Sequence, residues 1–353
     1  MLALTSNERV MVCPLGWGLG HATRVIPIIS SLLAKGCHVI VAGDSQSITL
    51  LKKRFPNLEF IPFPSLRVKL TKGRNQTLAL LKIAIRLLFS IRKENRVARE
   101  LIKKHKVDVL ISDNRYGLYS SSITTVLITH QLKVMFPKPF KWVQPIGERF
   151  VRRYAQRFTY CWIPDNPNGF KLSGELSQPK IMHNNAEFIG LLSRFYGKDY
   201  TSNSVDWELL GIVSGPPPHR ELLVKELVNL SNRLNIRSLI VQGLPSDEVS
   251  KTKEGMATLV NHLEDDEMAR AITSSKYIIC RSGYSTLMDL LALKRTALLV
   301  PTPGQTEQEY LARYLKENNM FEWWHQHKLA EVELSMLNKS SSIFQRELST
   351  FFA

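Results

Sequence analysis

The chain has 353 residues, 44% of them apolar and 22% charged, with a mean hydropathy of −0.11. These values exclude a polytopic membrane protein and provide enough chain for two α/β domains rather than one core. The formal net charge of +16 speaks to partners and leaves three classes open: nucleic acid, an anionic membrane face or an anionic substrate.

Residues 1–10 carry no basic stretch ahead of an apolar one, so no secretory signal is expected. Cys13, Cys37, Cys161 and Cys280 are scattered, each in or beside an apolar run, with no metal or redox spacing. Buried free thiols in a reducing compartment are the expectation.

In chain order, residues 10–14 read as a strand ending in Gly16-Trp17-Gly18-Leu19-Gly20-His21. Val25, Ile28, Ile29, Leu32 and Leu33 then recur at helical spacing, Gly36 ends that helix, and residues 37–43 form a second buried strand. Strand, glycine turn, helix and strand in so short a span make a βαβ unit. A helix over 45–55 and a strand over 59–63 follow, then a long helix over 78–106. Strands are expected over 107–112, 125–129, 160–164 and 187–190, with a basic helix over 144–157. Residues 193–206 are polar and aperiodic and read as an interdomain linker.

A second βαβ series then begins. Strands are expected over 209–214, 238–242, 257–261, 277–280 and 297–301, and helices over 221–234, 265–274, 285–293 and 307–318. The expected domains are 1–193 and 194–329, with a tail over 330–353. Phe344, Leu348, Phe351 and Phe352 fit a final helix in that tail. There is no solenoid-period repeat.

Two glycine turns carry the chemistry. Glycine between a strand and a helix lets backbone approach a ligand and aims the positive helix end at negative charge. The first turn has the spacing G-x-G-x-G-H, one residue short of the dinucleotide fingerprint, and only Asp44 stands near the expected acidic ribose partner. A nicotinamide cofactor is therefore not expected. His21 stands immediately after the glycines, where open α/β sheets bind ligands; its bland reading is a cap-region histidine. The second turn is Arg281-Ser282-Gly283, with Ser285 and Thr286 opening a helix whose amides suit a phosphate. Asp289, one turn in, suits the two hydroxyls of a ribose or simply the early-helix dipole. Residues 301–309 are dense in amides and carboxylates that suit a sugar, Gln305 and Gln308 among them, although Thr306 with Glu309 also spells a capping box.

These segments resemble the family 28 glycosyltransferases of the GT-B fold, whose best-known member adds N-acetylglucosamine to a lipid-linked peptidoglycan precursor. Gly16-Trp17-Gly18-Leu19-Gly20-His21 is similar to the family's G-G-T-G-G-H loop. Arg281-Ser282-Gly283 with Thr286 and Asp289 is similar to R-S-G-x-x-T-x-x-E, and Gln308-Glu309-Tyr310 to its Q-Q-Y segment. The resemblance implies two Rossmann-like domains with a nucleotide sugar bound in the cleft between them, and a tail that crosses back to the first domain. It implies that Gly18, Gly20 and His21 face the diphosphate and reacting sugar, that Asp289 holds the ribose, and that Gln308 touches the donor sugar. Ala312 stands where the family has asparagine, Gln305 is extra, and Trp17-Gly18 replaces G-T.

The expected reaction is an inverting, metal-independent transfer of a hexose or N-acetylhexosamine from a UDP-linked donor to a lipid-linked or other cell-envelope glycan. The donor is a substrate and no cofactor is expected. Such a transfer requires stabilisation of the leaving diphosphate, a base, and alignment. No D-x-D metal motif is evident, so Ser214, Gly215, Gly283 and Ser285 are the backbone candidates and Arg220 or Arg281 the charged one. His21 is the favoured base, Asp113 its competitor, and His130 also ends a strand at the acceptor side.

Twelve Lys/Arg and two Glu lie between Lys69 and Lys106, most of the net charge. They flank an apolar run that contains Lys82 and Arg86 and continues into Arg92, Lys93 and Arg96. Such a helix is expected to dock on an anionic membrane, peripherally on the inner face of the cell membrane, without spanning it; a core helix with a solvated basic face is the plainer reading. A nucleic-acid partner is not expected, because no nucleic-acid motif appears and the glycine turns would go unused. A GT-B nucleotide-sugar epimerase, or a non-catalytic nucleotide-sugar-binding protein, is the alternative.

Overall fold

The computed structural model describes residues 4–16, 19–64, 76–136, 138–200, 204–215, 217–246 and 248–342, without the side chains of 76–87, 138–139 and 342. Residues 1–133, 145–167 and 177–190 form one compact unit; 134–144, 168–176 and 191–353 form another.

The first unit holds one seven-stranded parallel sheet. Its strands are β1 (Arg9–Cys13), β2 (His38–Gly43), β3 (Glu59–Pro62), β4 (Val109–Asp113), β5 (Thr124–Ile128), β6 (Tyr160–Ile163) and β7 (Ala186–Phe188), in the order β3-β2-β1-β4-β5-β6-β7. Its helices are α1 (Leu19–Ala34), α2 (Ser45–Arg54), α3 (Gln76–His105) and α4 (Gln144–Ala155). The near-continuous burial of β1, β2 and β4 is what a parallel sheet covered on both faces requires. Gly36, at φ +79°, supplies the left-handed turn that ends α1. Asp44 caps α2 by accepting from the Ser47 amide at 3.0 Å, so its carboxylate is spent on the helix.

The second unit holds β8 (Trp207–Ile212), β9 (Ser238–Val241), β10 (Lys251–Glu254), β11 (Ala257–Val260), β12 (Ser275–Cys280), β13 (Leu298–Leu299) and β14 (Glu322–Trp323). The order is β10-β11-β9-β8-β12-β13-β14, parallel except for the β10–β11 hairpin. Its helices are α5 (His219–Leu234), α6 (Asp265–Thr273), α7 (Tyr284–Ala292), α8 (Thr306–Glu317) and α9 (Leu334–Ser342). Alternation along β12 divides the core. Tyr277 and Ile279 pack with α5 and α9 side chains, whereas Ile278 and Cys280 pack with those of α6, α7 and α8. All four cysteines are free and buried, and burial pushes the thiols of Cys13, Cys161 and Cys280 up to about 12.

Three expectations change. The stretch 193–206 does not begin as a free linker: Ser193 and Phe195 are buried in the second unit, and Arg194 is bonded to two aspartates there. Ser193 and Arg194 are polar because they hydrogen-bond inward. Within the tail, α9 belongs to the second unit: it packs on β12, Leu337 joins that core, and Asn338 accepts from the Tyr277 hydroxyl at 2.6 Å. The late aromatic residues of the tail lie outside the described residues. Finally, no capping box forms on α8. Gln305 is the N-cap without a side-chain bond, the Thr306 hydroxyl donates to the Met135 carbonyl, and Glu309 accepts from the Gly304 amide.

One buried group makes the first unit sensitive to acid. His183 is 3% exposed and its Nδ1 has no partner. Burial, then the Arg152 charge, hold the ring below the usual histidine range. The unfolded ring therefore takes up a proton first as pH falls. The stability this group contributes is complete above its unfolded value near 6.5 and is lost as pH drops toward the folded one, at up to about 1.4 kcal/mol per pH unit. Melting curves from pH 8 to 5 are expected to show a decline in wild type that flattens in His183→Gln; parallel curves would contradict this.

Candidate active site

Open α/β sheets bind ligands beyond the carboxyl ends of their strands, where strand order reverses. In the first sheet that point lies between β1 and β4. The chain leaves β1 into the glycine turn and enters α1 at Leu19, which places His21 in the first turn of the helix; Trp17 and Gly18 lie outside the described residues. Gly20, the next glycine of the motif, is in that first turn, and its carbonyl accepts from the Thr23 hydroxyl at 3.1 Å. β4 ends at Asp113, fully buried.

The two meet: His21 Nδ1 lies 2.8 Å from Asp113 Oδ2. A carboxylate can only accept, so Nδ1 carries the hydrogen and the Nε2 lone pair is left for chemistry. Arg24, one helical turn on and 2% exposed, donates through its NH2 to Asp113 Oδ1. Its NH1 lies 3.1 Å from His130 Nδ1, which must be the acceptor because a guanidinium has no lone pair. Burial pushes the Asp113 carboxyl up, but the Arg24 guanidinium and the His21 ring outweigh it and hold it below the usual carboxylate range. Asp113 is thus an ionised orienting group, and His21, with 18% of its side chain exposed, is the member open to a substrate. His130 is buried at 4% and joins the cluster through Arg24.

The loop after β4 is braced from below. Arg115, 1% exposed, bonds Glu94 Oε1 at 2.8 Å, the Pro14 carbonyl at 3.3 Å and the Pro64 carbonyl, and lies 4.4 Å over the Phe63 ring. It ties the exits of β1, β3 and β4 to α3.

In the second sheet the reversal lies between β8 and β12. Ser214 and Gly215 follow β8, Gly215 at φ +104°, a value closed to side-chain-bearing residues. Pro217 and Pro218 have no N–H, and Pro216, also without one, lies outside the described residues. The amides at the start of α5 are those of His219, Arg220 and Glu221, and the Arg220 side chain contacts Glu221 at 2.8 Å.

Arg281 differs from the expectation that it faces a diphosphate. It is fully buried and donates to the Val300, Pro301 and His219 carbonyls and to Gln326 Oε1, at 2.8–3.3 Å. Burial lowers it to about 10, so it stays cationic at neutral pH. It is a clamp on three loops, which leaves Arg220 as the charged candidate. Ser282 donates to the Gln308 carbonyl, and Gln308 Oε1 accepts from the Thr302 amide. Both therefore shape the loops at this strand edge. Gly283 is the N-cap of α7 and has no side chain to cover the amides of its first turn, where Ser285 and Thr286 stand half-buried.

Asp289 is 7% exposed, and each of its oxygens already has a partner: Ser193 Oγ at 2.7 Å and Arg194 Nε at 3.3 Å. Arg194 NH1 bonds Asp265 at 2.7 Å. Burial raises the Asp289 carboxyl, opposed by Arg194 and Ser193. Ser193, Arg194 and Arg24 are the site residues that sequence reasoning missed.

The basic helix has two faces. From residue 91 of α3 onward, Ile91, Glu94, Asn95, Ala98 and Ile102 are buried while Arg92, Lys93, Arg96, Arg99, Lys103 and Lys104 are exposed. Phe89 is 68% exposed beside them. The side chains of Lys82 and Arg86 lie outside the described residues. On α4, Ile146, Arg149 and Arg153 are exposed. Among the described residues no helix is long and apolar enough to cross a membrane, and no cluster of three metal-ligating side chains forms.

Residues 226–348 match the model of the glycosyltransferase family 28 C-terminal domain. The UDP-N-acetylglucosamine–N-acetylmuramyl-(pentapeptide) pyrophosphoryl-undecaprenol N-acetylglucosamine transferase of Pasteurella multocida is 24% identical over 319 residues, 88% of this chain and 82% of its own. That of Histophilus somni is 22% identical over 352 residues, 96% and 90% of the two chains. Among solved structures, MurG of Acinetobacter baumannii superposes with a TM-score of 0.52 at 16% identity, covering 94% of this chain and 89% of that one. The spinosyn rhamnosyltransferase SpnG with thymidine diphosphate does so with 0.62 at 13%, covering 97% and 93%. The fold is that of the GT-B glycosyltransferases, two Rossmann-like domains, and residues 226–348 are similar to the C-terminal domain of family 28.

Proposed function

We propose that this family 28-like glycosyltransferase moves a hexose or N-acetylhexosamine from a UDP-linked donor to a lipid-linked or other cell-envelope glycan, with inversion and without a metal, on the inner face of the membrane. The observation that carries the reading is the His21–Asp113 pair at the strand-order reversal of the first sheet. His21 Nε2 takes the proton of the acceptor hydroxyl as that oxygen bonds to the anomeric carbon. The bond from this carbon to the diphosphate oxygen breaks, and its electron pair leaves with the diphosphate. Asp113 holds the ring and offsets the charge it gains.

In the second unit the α7 amides and Arg220 serve the diphosphate, Ser214 and Gly215 give close backbone approach, and Asp289 serves the ribose through its remaining lone pairs. Gln305 and Gln308 serve the sugar. The basic face of α3 supports an anionic membrane, at roughly 1 kcal/mol per basic residue near the surface. The names of the curated relatives support the UDP donor and lipid-linked acceptor.

The test is a panel of UDP-, GDP- and dTDP-sugars, with and without membrane lipid extract. Lipid labelling from a UDP donor, lost in His21→Ala, is the expected result. Turnover of the donor without any acceptor would replace the reading by an epimerase, and tight binding without turnover by a non-catalytic protein. Binding to vesicles containing anionic lipid is expected to fall in Arg92→Glu/Arg96→Glu and at high salt; unchanged binding would remove the membrane part.

A further inference from the structure

Arg24 occupies an unusual place for a permanent cation. It is 2% exposed in α1, its NH2 donates to Asp113 Oδ1, and the same nitrogen stands 2.9 Å from His21 Nδ1. With the Nδ1 hydrogen directed at Asp113 Oδ2, that second approach is not a hydrogen bond but a cation held against the ring. Among the described residues, the charged and titratable groups that contact His21 are Asp113 from β4, Arg24 from its own helix and, through Arg24, His130 beyond β5. His130 accepts from Arg24 at Nδ1 and is neutral in that arrangement.

A buried carboxylate beside a histidine, with no other cation near, draws a proton onto the ring and keeps it there as an ion pair. Such a ring is oriented but already protonated, and a protonated ring cannot act as a base. We propose that Arg24 is a positioning residue that prevents this: it neutralises Asp113 from the far side and opposes a second positive charge on His21, so that the ring rests neutral and gives up the proton it gains in each turnover. This rests on His21 being the base.

The test is the pH profile of kcat/KM from pH 5.5 to 9.5 for wild type, Arg24→Gln and Arg24→Lys, with NMR titration of the labelled His21 ring in the same proteins without substrate. In Arg24→Gln the acid limb is expected to move to higher pH by about one unit, the rate near neutrality to fall about tenfold, and activity to return at alkaline pH. The NMR midpoint of the ring moves in the same direction. Arg24→Lys falls between the two, because an ammonium keeps the charge but cannot reach Asp113 and His130 together. If Arg24→Gln does not fold, the lysine variant against wild type still decides. A uniform rate loss with an unmoved limb and an unmoved ring midpoint would overturn the proposal. If His21→Ala retains wild-type turnover, the base assignment fails separately, while the ring titration still reports on Arg24.

Discussion

His21→Ala leaves the donor affinity within about twofold of wild type and lowers kcat roughly 10²–10⁴-fold, the contribution of a positioned general base. The asymmetry follows from placement. His21 opens α1 in the first unit, 2.8 Å from Asp113, while the groups proposed for the nucleotide sit on the strand edges of the second unit. Removing the imidazole costs proton transfer and leaves those groups alone. Asp113→Asn should also fall, because an amide still accepts from Nδ1–H but carries no charge to offset the imidazolium, and it leaves the Arg24 cation uncompensated in a buried place. Steady-state kinetics with calorimetric donor titration separate the two quantities. A kcat within tenfold of wild type for His21→Ala would move the base to another residue.

Arg281→Ala is expected to damage stability more than any change at the pair. The side chain satisfies three carbonyls and one amide oxygen in a fully buried position. Truncation strands those acceptors and opens a cavity, at about 3–5 kcal/mol. For a unit of this size that corresponds to a fall of roughly 10 °C or more in melting temperature. Arg281→Lys recovers only part, since an ammonium cannot replace a planar fork aimed at several acceptors. The melting curve of each variant, measured with and without nucleotide, gives the answer. A folded, wild-type-stable Arg281→Ala that had lost only nucleotide affinity would return this arginine to the diphosphate.

Both results bear on what the sequence could show. The βαβ series was legible because parallel strands buried on both faces read as unbroken apolar runs, and glycine turns mark their exits. β10 was not, because Lys251-Thr252-Lys253-Glu254 has no apolar residue, and β14 was not, because two residues make no pattern. His21 and Asp113 could each be named from their positions at strand ends; that they touch is a matter of which strands are neighbours. Arg24 was invisible for a different reason. It sits among the apolar residues of α1, where one charge reads as an interruption of the stripe, and its partners lie 89 and 106 residues away. Arg281 was found through a motif, but a motif gives position and not direction, and the guanidinium points into the protein. Residues 193–195 read as linker in the sequence because polarity marks buried hydrogen-bonding groups as readily as solvated ones.

The composition of β10 has one more consequence. The second sheet ends there in a strand whose outer backbone groups face no neighbouring strand of the sheet, the kind of edge on which another chain can add itself. All four of its residues are exposed, and two lysines alternate along it. A second copy approaching edge to edge would have to desolvate those ammonium groups to pair its backbone. Edge-to-edge fibre growth is thereby discouraged.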